Sequence, residues 1–200
     1  MIQFTEAIRL FNGQLQHLEL HQQRMNRTTE HFYNTDIDLS SIVDRIPYNA
    51  IVGLYKCRVV YDNEIRDVQW QPYIPKPRNR VQLVDARAIN YQYKYLNRTM
   101  FEQLANRYPV DDLILIKNGT VTDALYSNLV FENNSGLFTP DTPLLLGTRR
   151  QYLLNGNVIQ LAHITPQNLH QYRWVHFINA MLNLGDIPPV SVNNIFLASY

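Results

Sequence analysis

The residues that could carry chemistry begin with a lysine. Lysine occurs at only four of the 200 positions, namely Lys56, Lys76, Lys94 and Lys117, so a reaction through a lysine amine has few candidates. Lys117 abuts an Asn-Gly turn, Lys76 lies among prolines, and the neighbours of Lys56 indicate an exposed strand face. Lys94 follows a predicted strand and directly precedes a predicted helix, which makes it the best of the four. An exposed lysine, or one that covers an aromatic face, explains the same spacing equally well.

Three further positions could supply a carboxylate and an anion site. Asp123 follows the Asn118-Gly119 hairpin turn, so its side chain could face a cleft. Gly147 precedes a predicted helix, whose first backbone N–H groups suit a phosphate, and Arg24 lies beside the apolar face of another helix. Each position also has an ordinary structural explanation: a solvated aspartate at a strand end, a plain helix start and a surface arginine in a salt bridge.

The composition is that of an ordinary globular chain. Hydrophobic residues make up 46% and charged residues 18%, with a net charge of +1, so bulk charge indicates neither a nucleic-acid nor a membrane partner. The first ten residues include Glu6 and Arg9, which argues against a signal peptide, and no stretch is long enough to span a bilayer. The single cysteine, Cys57, excludes an internal disulfide and fits a reducing compartment. These features predict a cytoplasmic protein.

Residues 1–75 are predicted to form a small N-terminal α+β domain. Two strands flank the hairpin dipeptide Asn12-Gly13, a helix follows with apolar residues at helical spacing, and two more strands are joined at residues 62–64. Ser41 and Asp44 resemble a capping box that begins a second helix. The segment PYIPKPRNR has neither helical nor strand periodicity, so it is the expected linker.

Residues 76–200 are predicted to form a larger C-terminal α+β domain. The segment TMFEQLANRY has the apolar spacing of a helix, and GTRRQYLLNG reads as a short helix closed by Gly156. Strands are predicted on both sides of these helices, another helix is expected to begin at Thr165-Pro166, and WVHFINA is the last clear strand. Strands and helices are mixed without strict alternation, which favours an α+β fold over a doubly wound sheet.

Five segments, taken in order, match the motifs of one family. They are FTEAIRLFNGQLQHLELHQQRM, similar to an FET-R segment and an H-x-x-R helix; YKYLNR, similar to a K-x-L-N-R lysine segment; NGTVTDALYSNLVF; LFTPDTPLLLGTRR; and FINAML. The sequence resembles the class IV aminotransferases, the fold-type-IV pyridoxal-phosphate enzymes that include branched-chain and D-amino-acid aminotransferases and aminodeoxychorismate lyase. The resemblance covers nearly the whole chain.

The resemblance implies a role for each matching residue. Lys94 is the Schiff-base lysine and moves the proton between the substrate α-carbon and the cofactor C4′ atom. Asp123 pairs with the pyridine nitrogen, and Asn128 helps to order the site. The cofactor phosphate is bound by the remaining residues, which are Arg24, Gly147, Thr148, Arg149, Ala180 and Met181.

The resemblance also implies the wider properties of the protein. The fold would be an α+β, two-lobed, D-amino-acid-aminotransferase-like structure with pyridoxal 5′-phosphate in the cleft between its lobes. The substrate would be a small amino acid or 2-oxo acid, no metal would be needed, and the protein would form a homodimer.

Two departures from the family pattern separate this sequence from its relatives. The family has glutamate where this chain has Asp123, which keeps the charge but is one methylene shorter. Relatives also carry a Y-G-x-G-x-F-E segment before the point that corresponds to Phe4, so the chain is expected to be an N-terminally reduced member. We expect an aminotransferase, with two alternatives: a lyase that releases pyruvate as aminodeoxychorismate lyase does, and a non-catalytic binding relative that keeps the fold.

Overall fold

The computed structural model describes residues 1–197 and divides them into two compact units. The first unit comprises Met1–Ile74 and the short segment Tyr93–Asn97. The second comprises Pro75–Gln92 and the chain from Arg98 onward. The first unit therefore contains the lysine segment, although the sequence places that segment well beyond the proline-rich stretch. Whether the units are separate folding domains stays a prediction.

The first unit is a four-stranded antiparallel sheet with one long helix. Its elements are β1 (Phe4–Phe11), β2 (Gln14–Leu15), α1 (Leu18–Tyr33), β3 (Leu54–Tyr61) and β4 (Ile65–Pro72). The strand order is β2-β1-β3-β4. The predicted hairpin is confirmed, since Asn12 and Gly13 both have positive φ, +46° and +78°, as a tight two-residue turn between twisted strands requires.

Alternation along β1 explains which of its residues are buried. Phe4, Ile8 and Leu10 are fully buried, and successive residues of a strand point to opposite faces. Phe4 and Ile8 belong to a core that also includes Met25 of α1. Glu6 has the same alternate spacing, so a carboxylate is carried into this apolar core.

The second helix predicted in this unit is wrong. The segment Leu39–Arg45 forms a 3-10 helix, and Asp38 caps it, because its carboxylate accepts hydrogen bonds from the amide and the hydroxyl of Ser40. The capping box expected at Ser41 and Asp44 does not form this start, because Asp38, immediately before the segment, binds the backbone there instead.

The second unit contains two sheets. Its elements are, in chain order, β5 (Val81–Asp85), α2 (Thr99–Ala105), β6 (Asp112–Lys117), β7 (Thr120–Ala124), β8 (Asn128–Asn133), β9 (Gly136–Pro140), α3 (Thr148–Asn155), β10 (Gln160–Ala162), β11 (Trp174–Ile178), β12 (Val190–Ser191) and β13 (Ile195–Leu197). One sheet has the order β13-β5-β6-β7 and the other β10-β9-β8-β11-β12. Both sheets mix parallel and antiparallel pairs, so the mixed α and β prediction is confirmed.

Two local predictions for this unit are wrong. The helix expected at Thr165-Pro166 is absent; only a 3-10 turn occurs there, at Leu169–Gln171. The Asn168 side chain accepts the Thr165 N–H at 2.8 Å and donates to the His163 carbonyl at 2.9 Å, which gives this backbone partners outside a helix. The chain also continues beyond WVHFINA into β12 and β13, whose two and three residues are too short to show a periodic pattern.

Within residues 1–197, no helix combines the length and apolar character that crossing a bilayer requires. The same residues contain no group of three or more histidine, cysteine, aspartate or glutamate side chains placed to hold a metal ion.

Candidate active site

Lys94 is fixed in the first unit by main-chain pairing with β1. Its carbonyl accepts the Thr5 N–H at 3.0 Å, and the Leu96 N–H donates to the Gln3 carbonyl at 2.8 Å. Between these bonds, Tyr95 forms an antiparallel bridge with Phe4. A lysine in a loop would be free to move, whereas this one lies on a short extended segment paired to the edge of a sheet.

Aromatic packing holds the same segment. Tyr93 and Tyr95 lie on either side of Lys94, and both pack against the buried ring of Phe4, at centroid distances of 6.5 and 5.2 Å. Phe32 of α1 packs against Tyr93 at 4.9 Å. Because side chains two residues apart on an extended chain share a face, two tyrosines in the aromatic core direct Lys94 to the opposite side.

The other lysines have different surroundings. Lys117 donates from Nζ to the Ile89 carbonyl at 2.6 Å, so it is a structural contact rather than the solvated lysine that the sequence suggested. Lys76 is exposed in the proline-rich segment, and Lys56 is partly buried in β3.

A buried charged cluster lies near Lys94 in the first unit. Arg24 donates from Nε to Glu6 Oε1 at 2.8 Å and from Nη2 to Glu6 Oε2. His21 Nδ1 lies 2.6 Å from Glu6 Oε2. All three side chains are buried, and Glu6 has no exposed surface. His21 and Arg24 are three residues apart on α1, so both reach the same carboxylate.

The ionisation of this cluster follows from its contacts. Burial alone would raise the pKa of Glu6, but the charge of Arg24 and the hydrogen bonds from His21 and Arg24 outweigh it and lower that pKa to about 2. Burial lowers the pKa of His21, and the positive charges of Arg24 and Lys94 lower it further, against the opposing influence of Glu6. His21 is therefore neutral at neutral pH. Since an ionised carboxylate only accepts, the Nδ1 atom of His21 carries the proton.

This cluster changes the expectation for Arg24. The guanidinium edge formed by Nε and Nη2, which would give a bidentate phosphate contact, is engaged by Glu6. A phosphate contact would use the other edge of the guanidinium, and that contact stays a prediction.

In the second unit, Asp123 is the centre of a buried polar group. Its Oδ1 accepts a hydrogen bond from Asn128 Nδ2 at 2.7 Å, and its Oδ2 accepts the Leu145 N–H at 2.8 Å. Burial raises the pKa of Asp123 to about 6, although these hydrogen bonds and the charge of Arg150 oppose the shift. A carboxyl group that titrates near neutrality can share a proton with a partner at physiological pH.

Gly147 is confined by the same group. A Cβ at position 147 would lie 1.8 Å from Asn128 Oδ1, far inside any van der Waals contact. The Asn128 side chain cannot readily turn away, because Nδ2 donates both to Asp123 and to the Leu145 carbonyl, the latter at 2.9 Å. The residue before α3 must therefore be glycine for its backbone to pass Asn128 so closely.

The helix that follows Gly147 begins as predicted, at Thr148. Thr148, Arg149 and Arg150 are all buried. The N-terminus of a helix presents backbone N–H groups and a partial positive charge to an anion. Arg150 instead supports the strand before the helix, through hydrogen bonds to the Thr139 hydroxyl at 3.2 Å and the Pro140 carbonyl at 2.8 Å.

The predicted loop at Ala180 and Met181 is held by Asn179. The Asn179 Oδ1 accepts the Met181 N–H at 2.8 Å, and Nδ2 donates to the Tyr126 carbonyl at 2.9 Å. Asn179 thereby joins this loop to the turn that separates Asp123 from Asn128.

The predicted site residues thus form two groups, one in each unit. Lys94 and Arg24 belong to the first unit with Glu6 and His21; the second unit contains Asp123, Asn128, Gly147, Thr148, Arg149, Ala180 and Met181. Sequence reasoning missed Glu6, although its even spacing from Phe4 and Ile8 predicts that it points into the core. It also missed His21 and Asn179, for which only the folded chain supplies partners.

Comparison with known proteins shows the family of the chain. A family model described as amino-transferase class IV matches residues 3–188. An uncharacterized protein of Haemophilus influenzae is 34% identical over 189 residues, which are 92% of this chain and 100% of the relative. The chain belongs to the class IV aminotransferase family. The family consists of pyridoxal-phosphate-dependent enzymes of the aminotransferase and lyase types, and membership makes this chain an enzyme of that kind.

Solved structures agree with the family assignment. A crystal structure from Haemophilus somnus, provisionally named a 4-amino-4-deoxychorismate lyase, has a TM-score of 0.84 at 31% identity and covers 92% of this chain and 98% of its own. A hypothetical aminotransferase from Mycobacterium tuberculosis in its PLP-bound form has a TM-score of 0.76 at 16% identity, over 97% of this chain and 81% of its own. The second comparison concerns the fold alone. The predicted fold-type-IV architecture is confirmed.

Proposed function

We propose that this enzyme binds pyridoxal phosphate covalently through Lys94 and removes the α-proton of an amino acid or amino-substituted carboxylate. The observation that carries the proposal is the main-chain pairing on both sides of Lys94, at Thr5 and Gln3, which fixes the lysine backbone. Because the backbone is fixed, only the Lys94 side chain has to be ordered for its amine to attack a carbonyl.

The residues of the second unit fit the rest of the cofactor. The absence of a Cβ at Gly147 lets the backbone pass close to Asn128. Gly147 directly precedes a helix whose first amides, at Thr148 and Arg149, suit a phosphate. Burial raises the pKa of Asp123 to about 6, which still leaves this carboxyl group mostly ionised at pH 7, and an ionised carboxylate can accept a hydrogen bond from a protonated ring nitrogen. In this proposal, the loop of Ala180 and Met181 adds a backbone contact to the phosphate through Ala180, while the Met181 N–H stays bound to Asn179 and holds the loop in place. Asn128 orients Asp123.

Each protein group has a defined task in the proposed reaction. When bound, pyridoxal phosphate acts as an electron sink for the charge left at the substrate α-carbon. The Nζ atom of Lys94 accepts the α-proton and can return it to a neighbouring carbon. Asp123 holds a proton on the ring nitrogen, which keeps the sink effective as charge develops. Arg24 does not take part in this proton transfer; because His21 is neutral, the positive charge of Arg24 balances the negative charge of Glu6.

The first test is chemical labelling of the lysine. The purified protein is incubated with pyridoxal phosphate, reduced with borohydride and digested for peptide mapping. Lys94 should be labelled, while Lys56, Lys76 and Lys117 should not. The control is Lys117→Met, which should be labelled as the wild type is. A label on another lysine would refute the assignment, and no label in excess cofactor would favour a relative that has lost the cofactor.

The reaction type has two candidates. An aminotransferase would pass the amino group to a 2-oxo acid; a lyase would release pyruvate. The relative from Haemophilus somnus, with its lyase name, and the K-x-L-N-R form of YKYLNR favour the lyase. An assay of pyruvate release from aminodeoxychorismate, run beside an assay of amino transfer from a panel of amino acids, distinguishes the two reactions.

We also propose that the protein is a cytoplasmic homodimer. Light scattering of the purified protein tests its oligomeric state.

A further inference from the structure

One residue of the lysine motif has no role in the chemistry proposed above. Arg98 ends the segment YKYLNR, and it belongs to the second unit, whereas Lys94 four residues earlier belongs to the first. Its surroundings are unusual for an arginine that pairs with no carboxylate in the described contacts. The contacts of Arg98 indicate that it holds the backbone close to Asp123 in place.

The guanidinium group of Arg98 is held between aromatic rings. Its Cζ atom lies 4.3 Å from the ring centroid of Phe101, 4.9 Å from that of Tyr91 and 4.6 Å from that of Tyr126. Nη1 also donates to the Tyr91 hydroxyl at 2.7 Å. A planar cation stacked on several rings has few orientations available to it. The remaining N–H groups of Arg98 therefore point in fixed directions.

One of those directions is the turn between β7 and β8. The Nη2 atom of Arg98 donates to the carbonyl of Leu125. The N–H of the same residue, Leu125, donates to Asp112 Oδ1 at 3.2 Å. Asp112 is buried and is balanced by Arg78, whose Nε lies 2.7 Å from Asp112 Oδ2. Leu125 is thus held by a half-buried arginine through its carbonyl and by a buried aspartate through its amide.

This turn determines the spacing of Asp123 and Asn128. Asp123 lies two residues before Leu125, and Asn128 lies three residues after it. A single backbone hydrogen bond closes the turn, from the Ala124 N–H to the Ser127 carbonyl at 2.8 Å. The register between β6 and β7 is also irregular near this point. With so little regular pairing in the turn itself, its shape depends on the side chains that bind it. These are Arg98 and Asp112 at Leu125, and Asn179 at Tyr126 and Ser127.

We propose that Arg98 is a positioning residue, which holds the Leu125 carbonyl so that Asp123 and Asn128 face each other. The proposal rests on the function proposed for Asp123. Lysine cannot replace Arg98, since its ammonium group lacks the planar fork that reaches Tyr91 and Leu125 together while stacked on Phe101.

The first test needs no cofactor. Amide hydrogen exchange is measured by NMR in the cofactor-free wild type, in Arg98→Lys and in a control, Arg87→Lys, which changes an exposed arginine paired with Asp85. In Arg98→Lys, the amides of Ala124 and Leu145 should exchange about tenfold faster, because Leu145 donates to Asp123. The control should leave both rates unchanged. Unchanged rates in Arg98→Lys would overturn the proposal, whether or not the protein binds pyridoxal phosphate.

The second test asks whether Arg98 acts through Asp123. Exchange of the substrate α-proton into deuterated solvent is measured for wild type, Arg98→Lys, Asp123→Asn and the double variant, all loaded with pyridoxal phosphate. Arg98→Lys should slow exchange about tenfold in wild type and hardly at all in Asp123→Asn, since the residue to be positioned is already disabled. Equal slowing in both backgrounds would assign Arg98 a general structural role instead. A wild type that binds no cofactor would refute the proposed function while leaving the amide-exchange result to judge Arg98.

Discussion

Asn128 Nδ2 donates to Asp123 Oδ1 at 2.7 Å, and Asn128 Oδ1 lies so close to Gly147 that a Cβ there would be only 1.8 Å from it. One amide side chain therefore orders both the proposed ring partner and the backbone before the proposed phosphate helix. A substitution at Gly147 should therefore change the environment of Asp123, and a substitution at Asp123 should change the backbone around Gly147.

Gly147→Ala should disturb this arrangement. The added methyl group must displace Asn128, so the free energy of unfolding should fall by about 1–3 kcal/mol, as for other overpacked sites. Cofactor affinity should fall as well, since the helix start moves. Urea denaturation and cofactor titration measure the two effects. Gly156→Ala is the matched control, because its Cβ would meet nothing closer than 3.5 Å.

The same steric account predicts non-additivity. In the Asn128→Ala background the obstructing amide is gone, so adding Gly147→Ala should cost little further stability. If the double variant lost the sum of the two single effects, the contact between Gly147 and Asn128 would not be the cause.

Asp123 should make the cofactor-free protein less stable as the pH rises. A carboxyl pKa raised from 3.8 to about 6 means that the folded state holds the proton more tightly than the unfolded state does. The stabilisation is complete below about pH 3.8 and is lost as the pH rises through about 6. Between pH 4 and 7, the stability of Asp123→Asn relative to wild type should therefore rise by about 1–3 kcal/mol. Urea denaturation across this range measures it.

The control for this prediction is Asp67→Asn, which changes an exposed aspartate of β4. Its stability should stay within about 0.5 kcal/mol of wild type. A pH-independent difference between Asp123→Asn and wild type would mean that the Asp123 pKa is not raised.

Glu6→Gln should be strongly destabilising. It removes the charge that balances buried Arg24, and breaking a buried ion pair costs about 3–5 kcal/mol. The carboxyl pKa of Glu6 is lowered from 4.5 to about 2, so its contribution is complete above pH 4.5 and is lost as the pH falls through about 2. Denaturation at pH 7 and in acid measures this. At pH 7 the variant should have a lower free energy of unfolding than wild type, and that free energy should fall less than the wild-type value as the pH is lowered. Glu64→Gln, in the surface pair with Arg66, should cost less than about 1 kcal/mol.

Arg24→Ala should affect stability and cofactor binding together. It leaves Glu6 buried without its cation, and any phosphate contact by the other guanidinium edge is lost, which would weaken cofactor affinity by about one to two orders of magnitude. Arg27→Ala, on the exposed side of the same helix, should change neither. Loss of stability with unchanged affinity would limit Arg24 to holding Glu6.

The sequence by itself determined the elements whose signals are local. Asn12-Gly13 predicted a hairpin because few dipeptides adopt positive φ at both positions, and the segment from Gly147 to Gly156 predicted α3, with a glycine at each end. Family motifs then indicated the expected cofactor residues, in chain order. The alternation of Phe4, Glu6 and Ile8 also predicts that Glu6 is buried, but it does not show which residues contact the Glu6 carboxylate.

Only the tertiary structure decided what each polar residue contacts. Lys94 is paired to β1 across about ninety residues of chain, and Arg98 reaches Leu125, which follows 27 positions later, after α2, β6 and β7. Such contacts depend on which surfaces folding brings together, and no spacing along the chain encodes them. The pKa of Asp123 follows from burial, and the helix expected at Thr165 was lost to the Asn168 side chain. Both outcomes arise because a buried polar group takes whichever partner the folded chain offers.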